Sequence, residues 1–260
     1  MRGMLLAVDI GNTTTGIGIF EGERLKTTLR IASRVHQLPD EYAAIIFEIL
    51  KTRGIRREDI SDAVICSVVP PLTGVFEEFS RNYLSKEPLI VRAGIKTGVR
   101  IRIENPKEIG SDRIVNAVAA HRLYGGPVIV IDMGTAITFD AVSKDGDYLG
   151  GLIFPGVMIA SESLFMRTAK LPRVEILKPD GIIGRNTTHA IQSGLFYGYL
   201  SLIEGIVYRM KKELGGDALV VATGGYTNLF FPETDVIDKV EPHLTLKGLR
   251  IIYEMNRGKR

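Results

Sequence analysis

Several features are scarce in this sequence of 260 residues, and each scarcity excludes a class of protein. The single cysteine, Cys66, excludes an internal disulfide, and its place in an apolar run favours a small core residue. No run of about 18 apolar residues occurs, which excludes a membrane-spanning helix. The 33 basic and 30 acidic side chains leave a net charge of +3, too small and too scattered to indicate nucleic-acid binding.

The start of the chain also lacks the marks of a secretory signal peptide. The first residues lead directly into a strand-like segment whose apolar run is broken by Asp9, with no longer hydrophobic stretch and no cleavage site. We therefore expect a cytoplasmic protein. The length is sufficient to bury a core in one large domain or two smaller ones.

The first third of the chain predicts strands and helices in alternation. Leu5–Ile10, Thr14–Phe20 and Leu25–Ile31 read as three strands joined by short turns, which is an antiparallel meander. Further predicted segments are helices over 40–53 and about 72–84, and strands over 63–69 and 89–91. This pattern is typical of a mixed α/β fold.

The beginning of the chain recurs about halfway along it. An apolar strand leads into Asp9 and Gly11 in the first copy, and into Asp132 and Gly134 in the second. The offset is 132 − 9 = 123 residues. A repeated strand and Asp-x-Gly turn at a constant offset predicts a duplicated fold.

The continuation of both copies agrees with this interpretation. The same offset places Thr15 on Thr138, and the following turns at Gly22 and Gly146 agree to within one residue. The sequence therefore predicts an N-terminal domain over 1–122 and a C-terminal domain over 123–260.

The first Asp-x-Gly turn has the residue types of a phosphate-binding loop. Gly11 allows a tight turn and the close approach of an anion, while Asn12 and the threonines that follow it add hydrogen-bond donors. Asp9, at the end of a buried strand, suits a hydrated Mg²⁺. An ordinary hairpin turn explains the same residues when this loop is considered alone. A second copy across a cleft favours two loops that hold one triphosphate.

A third element is the apolar strand that ends at Thr223, Gly224 and Gly225. Two glycines leave room for a flat ring, so that a nucleoside could lie against the backbone. A glycine pair at a strand end is also common turn chemistry. Alone, the glycine pair is weak evidence for a nucleoside site. The two Asp-x-Gly loops make that interpretation stronger.

The segment Gly110-Ser111-Asp112-Arg113 precedes a predicted helix and allows two interpretations. Ser111 can cap that helix, and Asp112 can complement its dipole. Alternatively, Asp112 is a general base for a substrate hydroxyl and Arg113 holds an anionic group, as in kinases. Both interpretations stay open at this point.

Asn186–Gly194 is most simply a threonine cap before an amphipathic helix. The four histidines have no metal-ligand spacing, and we expect no chemistry from them. These histidines are His36, His121, His189 and His243.

Taken in order, these motifs resemble the type III pantothenate kinase family, within the superfamily of sugar kinases, Hsp70 chaperones and actin. The resemblance extends from Leu5 to about Asn256, and Ile103 stands where members often carry an aromatic residue. The matching segments are 9–13, 110–113, 132–138, Gly151–Gly156, 223–225 and Leu244–Leu249. It implies duplicated actin-like, ribonuclease H-like domains, with mixed sheets flanked by helices and a cleft between them.

The resemblance also implies a function, which is the ATP-dependent phosphorylation of pantothenate at the start of coenzyme A biosynthesis. Asp112 would accept the proton, Asp9 would hold Mg²⁺ through water, and Asp132 would hold K⁺ or NH₄⁺ in a cytoplasmic homodimer. The predicted ATP-binding residues are Asp9, Ile10, Gly11, Asn12, Thr13, Thr14, Thr15, Gly16, Thr135, Gly224 and Gly225. The predicted pantothenate-binding residues are Gly110, Ser111, Asp112, Arg113 and Thr187.

Two alternative functions belong to other classes. A related small-molecule kinase would keep both phosphate loops and differ near Arg113 and Thr187. An actin-like ATP-binding regulator, such as the Bvg accessory factor, would bind nucleotide without phosphorylating an acceptor. The intact Gly-Ser-Asp-Arg segment argues against a regulator, since a pure switch has no use for a base.

Overall fold

A computed structural model describes residues 3–258, which form two compact α/β units. The first unit contains the chain up to Arg100, the segment Glu104–Ala119 and the chain from His243 onward. The second contains Ile101–Ile103 and Ala120–Pro242. The sequence predicted two consecutive domains. It did not predict that the segment from His243 onward packs with the first unit.

The first unit is built on a five-stranded sheet with the order β3-β2-β1-β4-β5. The predicted antiparallel meander is present as β1 (Met4–Ile10), β2 (Thr14–Glu21) and β3 (Arg24–Ala32). β4 (Ile60–Ser67) and β5 (Leu89–Ile90) extend the sheet in parallel on the other side of β1. β1 is therefore the central strand, which explains why five of its seven residues are buried and the other two half-buried.

Helices α1 (Pro39–Thr52) and α2 (Pro70–Phe79) supply the core of the first unit. α1 starts with a proline at its first turn, where no amide hydrogen bond is lost, and it buries the face predicted from its periodicity. The ring of Tyr42 on that face packs against Phe76 of α2, with 4.8 Å between centroids. A π-helical turn, Ser80–Leu84, continues α2.

The second unit repeats this architecture around β7 (Val128–Met133). Its strands are β6 (Arg100–Ile101), β8 (Ala136–Val142), β9 (Asp147–Pro155), β10 (Leu219–Thr223) and β11 (Lys239–Val240). They are arranged in the order β11-β10-β7-β8-β9-β6. The helices of this unit are α4 (Val157–Arg167), α5 (Thr187–Glu213) and α6 (Thr227–Phe230). α3 (Ser111–Tyr124) begins in the first unit and ends in the second, and α7 (Leu244–Asn256) belongs to the first.

The two sheets share one topology. β7 and β8 pair antiparallel, as do β8 and β9, while β10 and β11 extend the sheet in parallel on the other side of β7. The order β9-β8-β7-β10-β11 thus matches β3-β2-β1-β4-β5 strand for strand. The duplicated fold predicted from the sequence is confirmed.

One detail of the predicted repeat is wrong. Asp9 pairs with Gly16 across the first hairpin, whereas Asp132 pairs with Thr138 across the second. Thr138 therefore corresponds to Gly16, and not to Thr15 as the constant offset predicted. The physical reason is a turn that is one residue shorter in the second copy.

None of the helices in the described part of the chain is both long enough and apolar enough to cross a bilayer.

Candidate active site

The loop between β1 and β2 is closed by a hydrogen bond of 3.1 Å from the Gly11 amide to the Thr14 carbonyl. Asn12, Thr13 and Thr14 are exposed at its tip, which places their polar side chains at the surface. Asp9 and Gly16 are half-buried at its base. This arrangement of exposed donors beside a carboxylate suits the phosphate-binding role that the sequence predicts.

Ser33, just beyond β3, holds this loop from below. Its hydroxyl donates to the Gly11 carbonyl at 2.6 Å, and its amide donates to the Thr13 carbonyl at 3.0 Å. The same hydroxyl lies 2.9 Å from that of Thr15, whose side chain is fully buried. The Thr15 hydroxyl therefore stabilises the loop from its buried side. The side chain of Ile10, another residue predicted to bind ATP, is part of the hydrophobic core.

The loop between β7 and β8 is held in the same way. Gly156, the first residue beyond β9, donates its amide to the Thr135 carbonyl at 3.0 Å, as Ser33 does to Thr13 in the first unit. A Cβ at Gly156 would collide with that carbonyl oxygen and would lie 2.6 Å from the Gly134 oxygen. Only glycine fits this contact, and Thr135 is exposed at the tip of the loop.

Asp9 and Asp112 lie close to one side chain, that of Cys66. Asp9 is the register partner of Cys66 between β1 and β4. Burial raises the pKa of the Cys66 thiol well above its ordinary value, and the charges of Asp9 and then Asp112 raise it further. The predicted metal-associated carboxylate and the predicted base are therefore both linked to Cys66 within the first unit. Asp9 is linked through strand pairing, and Asp112 through Ser111, whose hydroxyl lies 3.1 Å from the Cys66 sulfur.

Asp112 lies in the first turn of α3. Its Oδ1 accepts a hydrogen bond of 2.8 Å from the Arg113 amide. Burial raises the pKa of Asp112, while this amide and the charge of Arg113 partly oppose the shift. Gly110 makes room for the carboxylate, because a Cβ there would lie 2.5 Å from Oδ1.

Ser111 does not cap α3, so this part of the structural interpretation is wrong, whereas Asp112 does lie in the first turn, where it can complement the helix dipole. The helix begins at Ser111 itself, and the Gly110 carbonyl accepts from the Arg113 amide at 3.2 Å. The Ser111 hydroxyl points instead to β4, where it donates to the Ser67 carbonyl at 2.9 Å and lies 3.1 Å from the Cys66 sulfur.

The C-terminal helix α7 packs closely on α3. Thr245 donates its hydroxyl to the Asn116 side chain at 2.8 Å. Gly248 passes so close to the Val115 backbone that a Cβ would collide with its carbonyl oxygen. These contacts explain why the last segment belongs to the first unit, and they hold the helix that carries Asp112.

The glycine pair after β10 approaches the second Asp-x-Gly strand. Gly224 has a φ of +97°, and a Cβ there would lie 2.5 Å from the Met133 amide nitrogen. Thr223, just before it, is the register partner of Asp132. Asp132, Thr135, Gly224 and the exposed Gly225 are thus brought to one end of the second sheet.

Comparison with known proteins decides the family. The family model described as type III pantothenate kinase matches residues 5–209. A type III pantothenate kinase from Moorella thermoacetica is 51% identical over 97% of this chain and 100% of its own length. One from Geobacter sulfurreducens is 48% identical over 98% of this chain and all of its own. The chain belongs to the type III pantothenate kinase family.

Solved structures with the same fold are more distant in sequence. A Campylobacter jejuni protein described as a Baf family transcriptional activator aligns with a TM-score of 0.60 and 19% identity, over 96% of this chain and 98% of its own. The activator of 2-hydroxyisocaproyl-CoA dehydratase from Clostridium difficile was solved with bound ADPNP. It aligns with a TM-score of 0.53 and 16% identity, over 98% of this chain and 96% of its own. At these identities the likeness shows the fold alone, which confirms the predicted mixed α/β class.

Thr187, another predicted substrate contact of this family member, is the exposed first residue of α5. The threonine cap predicted for this helix is wrong. Asn186 is the N-cap, and its side chain accepts a hydrogen bond of 2.9 Å from the His189 amide. Asparagine is among the strongest N-caps, so its preference prevails over the neighbouring threonines.

The described residues contain no cluster of metal ligands. Among residues 3–258, no group of three or more histidine, cysteine or acidic side chains is arranged to hold a metal ion. Asp9 and Asp132 are each half-buried at a strand end beside a loop backbone. A single carboxylate fits Mg²⁺, which usually keeps several waters and takes the rest of its ligands from substrate phosphates.

Three residues that matter for the loops carried little sequence signal. Ser33 follows the third strand of its meander at a position that no motif marks. Gly156 ends a segment shared with the family, but the sequence predicted no role for it in the loop. Asp140 on β8 is fully buried and accepts a hydrogen bond of 2.6 Å from Tyr148 and one of 3.2 Å from Thr138. A charged residue among apolar strand residues is the one signal that could have identified it.

Proposed function

We propose that this protein transfers the γ-phosphoryl group of ATP to the primary hydroxyl of pantothenate, which gives 4′-phosphopantothenate for coenzyme A biosynthesis in the cytoplasm. The observation that carries this proposal is the link between Asp9 and the turn of Asp112, in a member of the type III pantothenate kinase family. Asp9 lies opposite Cys66 in the sheet, and the Cys66 sulfur lies 3.1 Å from the hydroxyl of Ser111, the residue before Asp112. A phosphate loop and a base at one point of one unit match what direct phosphoryl transfer requires.

In the proposed reaction the pantothenate oxygen attacks the γ-phosphorus, the bond to the β-phosphate oxygen breaks, and ADP leaves. The hydroxyl proton passes to Asp112. The raised pKa of Asp112 suits this task, because a carboxylate of higher pKa is a better proton acceptor as long as it stays ionised. No covalent intermediate is needed.

The loop residues have separate tasks in this proposal. Asn12 and the exposed threonines bind the phosphates of ATP, Thr135 adds a contact from the second loop, and Gly224 with Gly225 leaves room for the nucleoside. Arg113 holds the pantothenate carboxylate, and Thr187 completes the substrate site. Mg²⁺ near Asp9 and a monovalent cation near Asp132 would neutralise phosphate charge when bound.

A substrate panel with K⁺ controls tests the substrate class. We expect ADP release with pantothenate to exceed that with hexoses or short hydroxy acids by at least about 100-fold in kcat/KM, because buried polar contacts reject an acceptor that lacks matching groups. Activity should also depend on K⁺ or NH₄⁺. Equal rates with a sugar would contradict the assignment of pantothenate, and nucleotide binding without transfer to any acceptor would favour a regulator.

The apolar face formed by β9 and α4 supports a homodimer. Only Val157 and Ser161 of α4 are buried. Exposed apolar side chains continue from β9 into this helix, and the most exposed are Ile153 at 65% and Met166 at 71%. The others are Leu149, Leu152, Phe154, Met158, Ile159, Leu164 and Phe165. A second copy of this chain is the proposed occupant.

The number of exposed apolar residues agrees with such an interface. Each of the nine side chains is at least 37% exposed, and all lie on one strand and the helix that follows it. Isolated apolar residues are normal on a surface, but a concentration of this kind marks a binding surface.

Charging this face should separate the protomers. We expect Ile153→Asp to shift the mass measured by light scattering from twice the chain mass to the chain mass at micromolar concentration, because a buried unpaired charge costs several kcal/mol. Leu38→Asp is the matched control, since Leu38 is 62% exposed and precedes α1 in the first unit. A wild-type protein that is monomeric at this concentration would contradict the proposed dimer.

A further inference from the structure

The Ser111 hydroxyl is directed into the protein and away from the exposed side of its segment. The Ser111 hydroxyl donates to the Ser67 carbonyl at 2.9 Å. The Cys66 sulfur lies 3.1 Å from the hydroxyl oxygen of Ser111. A hydroxyl has one proton, so the thiol must be the donor in the second contact. The result is a chain of hydrogen bonds from Cys66 through Ser111 to Ser67.

These hydrogen bonds join the strand beside Asp9 to the helix turn that carries Asp112. Ser67 and Cys66 end β4, which pairs in parallel with β1 and sets Asp9 opposite Cys66. Ser111 starts α3, whose next residue is Asp112. One hydroxyl therefore connects the strand beside the phosphate loop to the helix turn that carries the base.

The neighbouring residues make the connection tight. The Val68 amide donates to the Ile10 carbonyl at 3.0 Å, so the end of β4 stays bound to β1 beyond the last strand residue. Gly110 lies against Val68 and makes room for the Asp112 carboxylate. The Cys66 side chain is fully buried, which shields its hydrogen bond to Ser111 from water.

We propose that Ser111 is a positioning residue that sets Asp112 relative to Asp9 through β4, and that its hydroxyl makes no contact with pantothenate. This inference rests on the proposed function of the same site. It differs from the substrate-binding role predicted for Ser111 from the resemblance, and the two roles affect different kinetic constants.

Ser111→Ala tests the proposal in the full-length enzyme. We expect kcat to fall about 10-fold with both KM values changed by less than about twofold, since a small misplacement of a reacting group costs rate and not binding. Ser111→Thr keeps the hydroxyl and should recover most of kcat. Ser201→Ala, at an exposed position of α5, is the control and should leave the kinetics unchanged.

Two further readouts separate positioning from general damage. Loosening the turn should admit water to Asp112, whose pKa should fall, so the acidic limb of the kcat–pH profile should move to lower pH. The charged and titratable groups beside Asp112 are Cys66 and Arg113, and neither of them is altered. Amide exchange of residues 110–114 should increase in Ser111→Ala, and this measurement needs no activity.

The outcomes distinguish this inference from the function on which it rests. Wild-type enzyme that leaves pantothenate unmodified would overturn both. Active wild-type enzyme with Ser111→Ala of normal kcat, pH profile and amide exchange would overturn the positioning role alone. A rise in the pantothenate KM at unchanged kcat would show that Ser111 contacts the substrate and would also overturn it.

Discussion

Asp112→Asn should lower kcat for pantothenate phosphorylation about 10³-fold, which is the typical contribution of a general base. Asparagine keeps the shape of the side chain and can still accept a hydrogen bond from the Arg113 amide, so the start of α3 should remain intact. It cannot take the hydroxyl proton. The measurement is steady-state kinetics, with ATP affinity determined separately by calorimetry and expected to stay within about twofold of wild type.

The same variant should be at least as stable as wild type at neutral pH. Because burial raises the pKa of Asp112, the folded state binds its proton more tightly than the unfolded state. Stability is therefore lost as pH rises from the ordinary aspartate pKa through the folded value, and the ionised carboxylate destabilises the fold above it. Removing that charge should raise the melting temperature at pH 7.

The control is Asp217→Asn, at an exposed position before β10, which should change neither kcat nor the melting temperature. If Asp112→Asn turned over at the wild-type rate, Asp112 would not be the base. Retained turnover would then require another acceptor for the proton.

Gly156→Ala should weaken ATP binding about tenfold to a hundredfold, the equivalent of one lost hydrogen bond to a charged group. The added methyl group would collide with the Thr135 carbonyl and press on Gly134. The loop between β7 and β8 must then move, and Thr135 moves with it. Calorimetry with ATP measures the loss of affinity.

Stability should fall as well, by about 1–3 kcal/mol, the usual cost of overpacking a tight site. Gly205→Ala is the matched control, since Gly205 lies exposed in α5 and nothing stands within 4 Å of an added Cβ. That change should stabilise the helix by up to about 1 kcal/mol. Wild-type ATP affinity in Gly156→Ala would show that this loop does not contact the nucleotide.

Local patterns were sufficient to predict the elements around β1. The alternation in β2, the turn at Gly22 and the apolar face of α1 agree with the structure because each depends on residues that are close in sequence. The repeat of the Asp-x-Gly strand was equally visible. The family resemblance then added roles that residue chemistry alone left open.

Features that depend on distant contacts were not predictable in this way. The Ser33 hydroxyl reaches Gly11 across 22 residues, and the Ser111 hydroxyl reaches Ser67 across 44. No local rule specifies which strand such a hydroxyl will meet. The periodicity of α7 likewise predicts an apolar face, but it does not predict that Gly248 will pack on Val115 of α3.

Competition between similar residues explains the remaining errors. Asn186 and Thr187 are adjacent candidates for one cap, and only the backbone decides between them. Likewise, a constant sequence offset cannot reveal that the second hairpin turn is one residue shorter than the first. In both cases the residue types were read correctly, and the position was wrong by one.

The most direct test of the account is transfer of the labelled γ-phosphoryl group from [γ-³²P]ATP to pantothenate, with separation and mass identification of the product. Wild-type enzyme should yield labelled 4′-phosphopantothenate in proportion to ADP, and Asp112→Asn should yield almost none. Tight ATP binding by wild-type enzyme without any labelled pantothenate would contradict the claim that the Asp9 loop and Asp112 form one phosphoryl-transfer site.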